Sequence, residues 1–110
     1  MKFVTKDEGK KYIPAGHDES VFSRSLFKGD GDMDVHVTTF PKGAGMKEEV
    51  HPQDAHIFYV LDGTVSVLQN NEVLKKLQKD DAVYIPAGEY HEIRNETEKD
   101  ASFIVITFPQ

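Results

Sequence analysis

The sequence predicts an all-β domain, an antiparallel sandwich or barrel. Three observations carry that expectation. Apolar, β-branched and aromatic residues fall in runs of four to seven; such runs suit pleated, half-buried strands. The runs are separated by two-residue turn signals, Asp62-Gly63 and Asn70-Asn71. No stretch shows helical periodicity over an ordinary helix length, and many short strands with close turns point to a sandwich or barrel.

Along the chain, Val35-His36-Val37-Thr38-Thr39-Phe40 is a strand that stops at Pro41, and Pro41–Gly45 is a loop. His56–Leu61 is a buried strand, and Asp62-Gly63 is expected to turn it back as a hairpin into Thr64–Gln69. Asn70-Asn71 then turns into Glu72–Leu77. Lys79-Asp80-Asp81 breaks the pattern before Ala82–Ile85, and Ser102–Phe108 is the last strand. With 110 residues and no linker-like or low-complexity segment, the chain is expected to form one domain.

Composition excludes several functions. Nineteen acidic residues stand against 13 basic ones, for a formal charge of −6. Nucleic acid and anionic membrane both require a basic face, so neither is an expected partner. No run approaches ~18 consecutive apolar residues, and the N-terminus lacks the apolar core of a signal peptide. A cytoplasmic protein is expected. Cysteine is absent. Disulfides, thiolate ligands and a cysteine nucleophile are therefore excluded together. A bound metal must be held by histidine and carboxylate.

Five histidines are present: His17, His36, His51, His56 and His91. A lone histidine in a strand or turn is usually not a ligand, and His17 and His36 take that reading. Glu49 and His51 stand two apart, so an extended chain turns both to one face and Glu48 and Val50 to the other. With His56 and His91 they make three imidazoles and a carboxylate, a set that suits Mn, Fe, Co, Ni or Zn.

Tyr-Ile-Pro-Ala-Gly occurs twice, at 12–16 and at 84–88. Overlaying residues 1–38 on 73–110 gives no identity outside those five positions. A duplicated unit leaves more trace than this, so the two copies read as similar turns. Pro86 is expected at the second position of its turn and Gly88 at the fourth.

The stretch from Gly43 resembles the first motif of the cupin superfamily, commonly written G-x5-H-x-H-x4-E-x6-G. Here Gly43, Glu49, His51, His56 and Gly63 keep every interval. The second motif is written G-x5-P-x-G-x2-H-x3-N, and Asp80, Pro86, Gly88, His91 and Asn95 keep every interval of that. The departures are informative. Glu49 replaces the family's first histidine and His56 replaces its glutamate, a reciprocal exchange that preserves three histidines and one carboxylate. Asp80 replaces a glycine, and aspartate tolerates the left-handed backbone that such a turn requires.

The resemblance implies a single-domain antiparallel β-barrel of the double-stranded β-helix, jelly-roll type, spanning 1–110. Residues 43–63 and 80–95 carry its motifs, and residues 1–28 are N-terminal strands suited to forming a homodimer. It implies a divalent transition metal (Mn, Fe, Ni, Co or Zn) held by Glu49, His51, His56 and His91. By strand alternation Phe58, Val60 and Ile93 share faces with the histidines and are expected to line an apolar pocket. Asn95 is expected to be a structural hydrogen-bonder. Cupins include dioxygenases, isomerases and decarboxylases, and also binding modules. The expected function is therefore a metal-dependent enzyme acting on a small carboxylate, keto acid or sugar derivative, by Lewis-acid or dioxygen chemistry. The alternative is a non-catalytic binding or sensor protein whose metal anchors ligand or stabilises the barrel.

Overall fold

A computed structural model describes residues 1–29 and 33–110. Nine strands run through them: β1 (Lys11–Tyr12), β2 (Phe22–Lys28), β3 (Asp34–Phe40), β4 (Asp54–Asp62), β5 (Val65–Gln69), β6 (Glu72–Leu77), β7 (Ala82–Ile85), β8 (Glu92–Arg94) and β9 (Ala101–Pro109). They form a six-stranded sheet ordered β1-β2-β3-β9-β4-β7 and a three-stranded sheet ordered β6-β5-β8, with every pairing antiparallel. The result is the expected all-β, jelly-roll arrangement. Among the described residues no helix is long and apolar enough to cross a membrane.

Strand alternation sets the inner faces. On β4, His56, Phe58 and Val60 are buried while Tyr59 and Leu61 are exposed. The register carries that face across the sheet in rows. His56 pairs with Thr107 and Thr107 with Asp34; Phe58 pairs with Val105 and Val105 with His36; Val60 pairs with Phe103 and Phe103 with Thr38. The row nearest the floor is core. Val60, Phe103 and Phe40 join Met46, Val65 and Ile93 in one buried cluster. Two buried hydroxyls of β2 and β3 satisfy each other, Ser23 Oγ lying 2.7 Å from Thr38 Oγ1.

Two turn expectations are corrected. Asp62-Gly63 does not close a hairpin, because β4 pairs with β7 and β9 while β5 lies in the other sheet. It is a corner between sheets. Gly63 has φ +77°, and a Cβ there would stand 2.5 Å from the Asp100 carbonyl oxygen and 2.8 Å from Ala101 Cα. Glycine is required by backbone sign and by close packing together. The second Tyr-Ile-Pro-Ala-Gly turn is shifted by one residue from its expected frame. Glu89 N–H donates to the Pro86 carbonyl, and Gly88 has φ +84°. Proline thus opens the turn and glycine occupies its left-handed third position.

Other local readings match the structure. Asn70 and Asn71 both take positive φ, at 53° and 65°, as a tight β5–β6 hairpin requires. Asp80 has φ 73°, the left-handed backbone that its replacement of glycine implied. Asn95 is fully buried. Its amide donates to the Phe40 and Lys99 carbonyls, and its oxygen accepts from the Thr97 N–H and hydroxyl.

Candidate metal centre

The segment between β3 and β4 brings the first motif to the second. It runs antiparallel beside the stretch that contains β8. Asn95 N–H donates to the Ala44 carbonyl, Met46 N–H to Ile93, and Glu49 and His91 exchange both backbone hydrogen bonds at 2.9 and 3.0 Å. A doubly bonded antiparallel pair holds its two Cα atoms about 5.5 Å apart. Glu49 and His91 are thereby neighbours, although far apart in sequence. The period of two then turns His51 to the same side as Glu49. Glu48 faces away, where its carboxylate accepts from Asn70 N–H at 2.8 Å.

The side chains converge. His51 Nε2 lies 2.9 Å from Glu49 Oε1, and His91 Nε2 lies 3.8 Å from the same oxygen. One donor atom from each of Glu49, His51 and His91 falls within a 4.8 Å group. His56 stands beside that group, its ring centroid 4.2 Å from that of His51 and 6.1 Å from that of His91.

Two nitrogens test whether the donors fit a metal. His91 Nδ1 donates to the Glu89 carbonyl at 3.0 Å, since a carbonyl only accepts. That fixes the tautomer with a lone pair on Nε2. Nε2 is buried without a hydrogen-bond partner, as is His56 Nδ1. Buried polar atoms are ordinarily satisfied. A ligating histidine is usually held in this way, one nitrogen fixed by a carbonyl and the other left free for the metal. Burial, followed by the nearby His51 and His91, lowers the His56 pKa to about 4, so its ring is neutral at pH 7. The residues fit a divalent first-row metal through mixed nitrogen and oxygen donors.

Glu49, His51 and His56 open on a cavity of about 310 Å³, while His91 lies off its wall. Phe58 lines it beside His56 and Glu49. Val60 and Ile93 are packed in the core and are not on its wall. Sequence reasoning missed the opposite wall, formed by His17, Asp34, His36 and Thr38. One signal was available for three of these. Asp34, His36, Thr38 and Phe40 alternate along β3, so a buried Phe40 turns all of them inward. His17 is half-buried.

Comparison with known proteins gives the setting. The sequence pattern described as Cupin domain matches residues 36–107. No curated protein matches the chain in sequence. Among solved structures, the polyketide cyclase RemF from Streptomyces resistomycificus is 21% identical with a TM-score of 0.84, covering 99% of this chain and 79% of its own. A predicted oxalate decarboxylase from Thermotoga maritima is 18% identical with a TM-score of 0.82, and the match covers 100% of both chains. The Schizosaccharomyces pombe Cnp3 cupin domain is 22% identical with a TM-score of 0.75. That match covers 84% of this chain, which spans only 63% of that one.

Proposed function

This chain belongs to the cupin domain family, and from that premise we propose that it is a metal-dependent enzyme acting on a small oxygenated substrate. The observation that carries the reading is the pair of buried, unpartnered nitrogens, His91 Nε2 and His56 Nδ1, beside the Glu49–His51 pair. An apolar core gives such nitrogens no reason to remain unsatisfied. A divalent metal bound here supplies Lewis-acid polarisation of a substrate oxygen, or dioxygen chemistry if it is iron.

The chain's own residues supply the rest. Glu49, His51 and His91 offer the tight donor set, and His56 stands next to it as a fourth. Phe58 and Phe103 give the cavity a dry apolar side, which strengthens the electrostatic contacts made inside it. Enzymes with this fold, a cyclase and a predicted oxalate decarboxylase among them, support a catalytic role over a purely binding one. A cytoplasmic homodimer completes the reading, with the N-terminal segment as the pairing surface.

The test is element analysis of protein purified without chelators, coupled to a turnover screen over hydroxy acids, keto acids and sugar derivatives. A bound transition metal, and turnover that His51→Ala abolishes, is the expected result. Metal-free protein, with every activity unchanged in His51→Ala, contradicts the proposal.

A further inference from the structure

The wall facing the metal donors is polar, and the metal cluster does not account for it. His36 lies in the inward row of β3, reached from Phe58 through Val105 of β9. At roughly 4.8 Å between strands, that is about 10 Å across the sheet from β4. His17 comes directly after the first Tyr-Ile-Pro-Ala-Gly turn and pairs with Met46 through an isolated bridge. Both rings line the cavity shared with Glu49, His51 and His56. They do not form a second ion site. Among the described residues, Glu49, His51 and His91 are the group whose donor atoms gather within 4.8 Å.

Each ring is fixed at Nδ1. His17 Nδ1 lies 2.8 Å from the Ala15 carbonyl and His36 Nδ1 lies 3.2 Å from Asp34 Oδ1. Both partners are acceptors, so both Nδ1 atoms carry the hydrogen. Burial lowers the His36 pKa and outweighs the opposing bond to Asp34, so burial favours the neutral ring. The Nε2 of the neutral His36 ring is an acceptor, and Nε2 is the nitrogen that His17 has left to offer a ligand. Among the described residues the cavity wall includes no lysine or arginine, and its acidic groups are Asp34 and Glu49. A hydroxyl can donate to such a wall. A phosphate or a second carboxylate only accepts, and would meet Asp34 with no cation to offset it. The volume of about 310 Å³ admits on the order of ten water-sized groups.

We propose that His17 and His36 form a hydroxyl-recognition subsite, selecting a small polyhydroxylated monocarboxylate whose carboxylate lies at the metal end. The carboxylate anchor rests on the metal reading above; the hydroxyl preference does not. Asp34 is a positioning residue that acts through His36.

Calorimetry on the metal-loaded full chain tests this with three probes: gluconate, hexanoate and glucarate. Hexanoate keeps the carbon count without hydroxyls, and glucarate adds a second carboxylate. Gluconate is expected to bind at least ~10-fold tighter than either, in line with one or two neutral hydrogen bonds. His17→Phe and His36→Phe should each reduce the gluconate-to-hexanoate ratio by about 5- to 10-fold, with hexanoate affinity and metal content unchanged. His36→Gln keeps an acceptor and should restore most of the ratio; melting curves confirm that each variant is folded. Equal binding of gluconate and hexanoate by the parent protein, or a ratio that survives both phenylalanine variants, overturns the subsite. A parent protein that holds no metal overturns the metal reading instead, and the ratio measured on that protein still decides the subsite.

Discussion

The two copies of Tyr-Ile-Pro-Ala-Gly share a backbone and do different work. Gly16 and Gly88 both take left-handed φ, at 73° and 84°. Both turns hold the segment that carries the donors: the Gly16 carbonyl accepts from Lys47 N–H, and Gly88 N–H donates to the His51 carbonyl. Glu49 and His51 are thus clamped from two sides by one recurring turn. The difference lies just beyond each glycine. His17 comes immediately after the first and reaches the far wall of the cavity. His91 comes three residues after the second, and its backbone pairs with Glu49. The two turns share their sequence, and the different spacing beyond them leaves His17 on the cavity wall and His91 paired with Glu49.

The largest expected contrast is in metal affinity. His91→Ala should weaken metal binding by at least ~100-fold, since even supporting residues of metal sites contribute 10- to 100-fold. His17→Ala should leave it unchanged; metal titration of both variants separates the turns. The polar anchors that flank the two turns differ next. Asn95→Ala removes the buried amide that serves Phe40, Thr97 and Lys99, and should cost about 3 kcal/mol in urea unfolding because the buried Phe40 carbonyl and the half-buried Thr97 lose their partner together. Asp18 joins the first turn to Gly45 N–H from a half-exposed position, so Asp18→Ala should cost about 1 kcal/mol. Gly16→Ala and Gly88→Ala test the shared backbone. No side-chain clash opposes either, Glu49 Oε2 at 3.7 Å from a Cβ at Gly16 being ordinary contact. Each should therefore lose about 1 kcal/mol from left-handed strain alone, and Gly88→Ala should also lower metal affinity.

A further expected effect is one of pH. Burial, then His51 and His91, hold folded His56 at about 4 against an ordinary 6.5. Unfolded His56 takes up its proton first as pH falls. Its contribution to stability is therefore complete above pH 6.5 and lost as pH drops toward 4. Melting of metal-free protein across that window should show the decline, and His56→Gln should flatten it.

Much of the fold was legible in the sequence because strand chemistry is local. β6 and β7 fall where β-branched and apolar runs meet Asn70-Asn71 and Asp80, whose turns depend on backbone sign alone. The motif spacing likewise grouped Glu49, His51, His56 and His91 without any knowledge of the sheets. The rest was hidden because it depends on sheet order. Asp62-Gly63 has hairpin chemistry, but β4 finds its neighbours in β7 and β9, which lie far along the chain. His36 looked like an isolated strand histidine because only the β3–β9–β4 register shows what it faces. His17 was unreadable for the same reason: its partner, Met46, belongs to another segment.

The metal-affinity contrast turns on the proposal that Glu49, His51 and His91 hold a divalent transition metal, with His56 beside them. Anomalous scattering from crystals grown without chelator, recorded at the absorption edge of the element found by analysis, tests that proposal most directly. A peak between Glu49 Oε1, His51 Nε2 and His91 Nε2 is the expected result. A peak elsewhere, or none in protein whose donor atoms stay clustered, contradicts it.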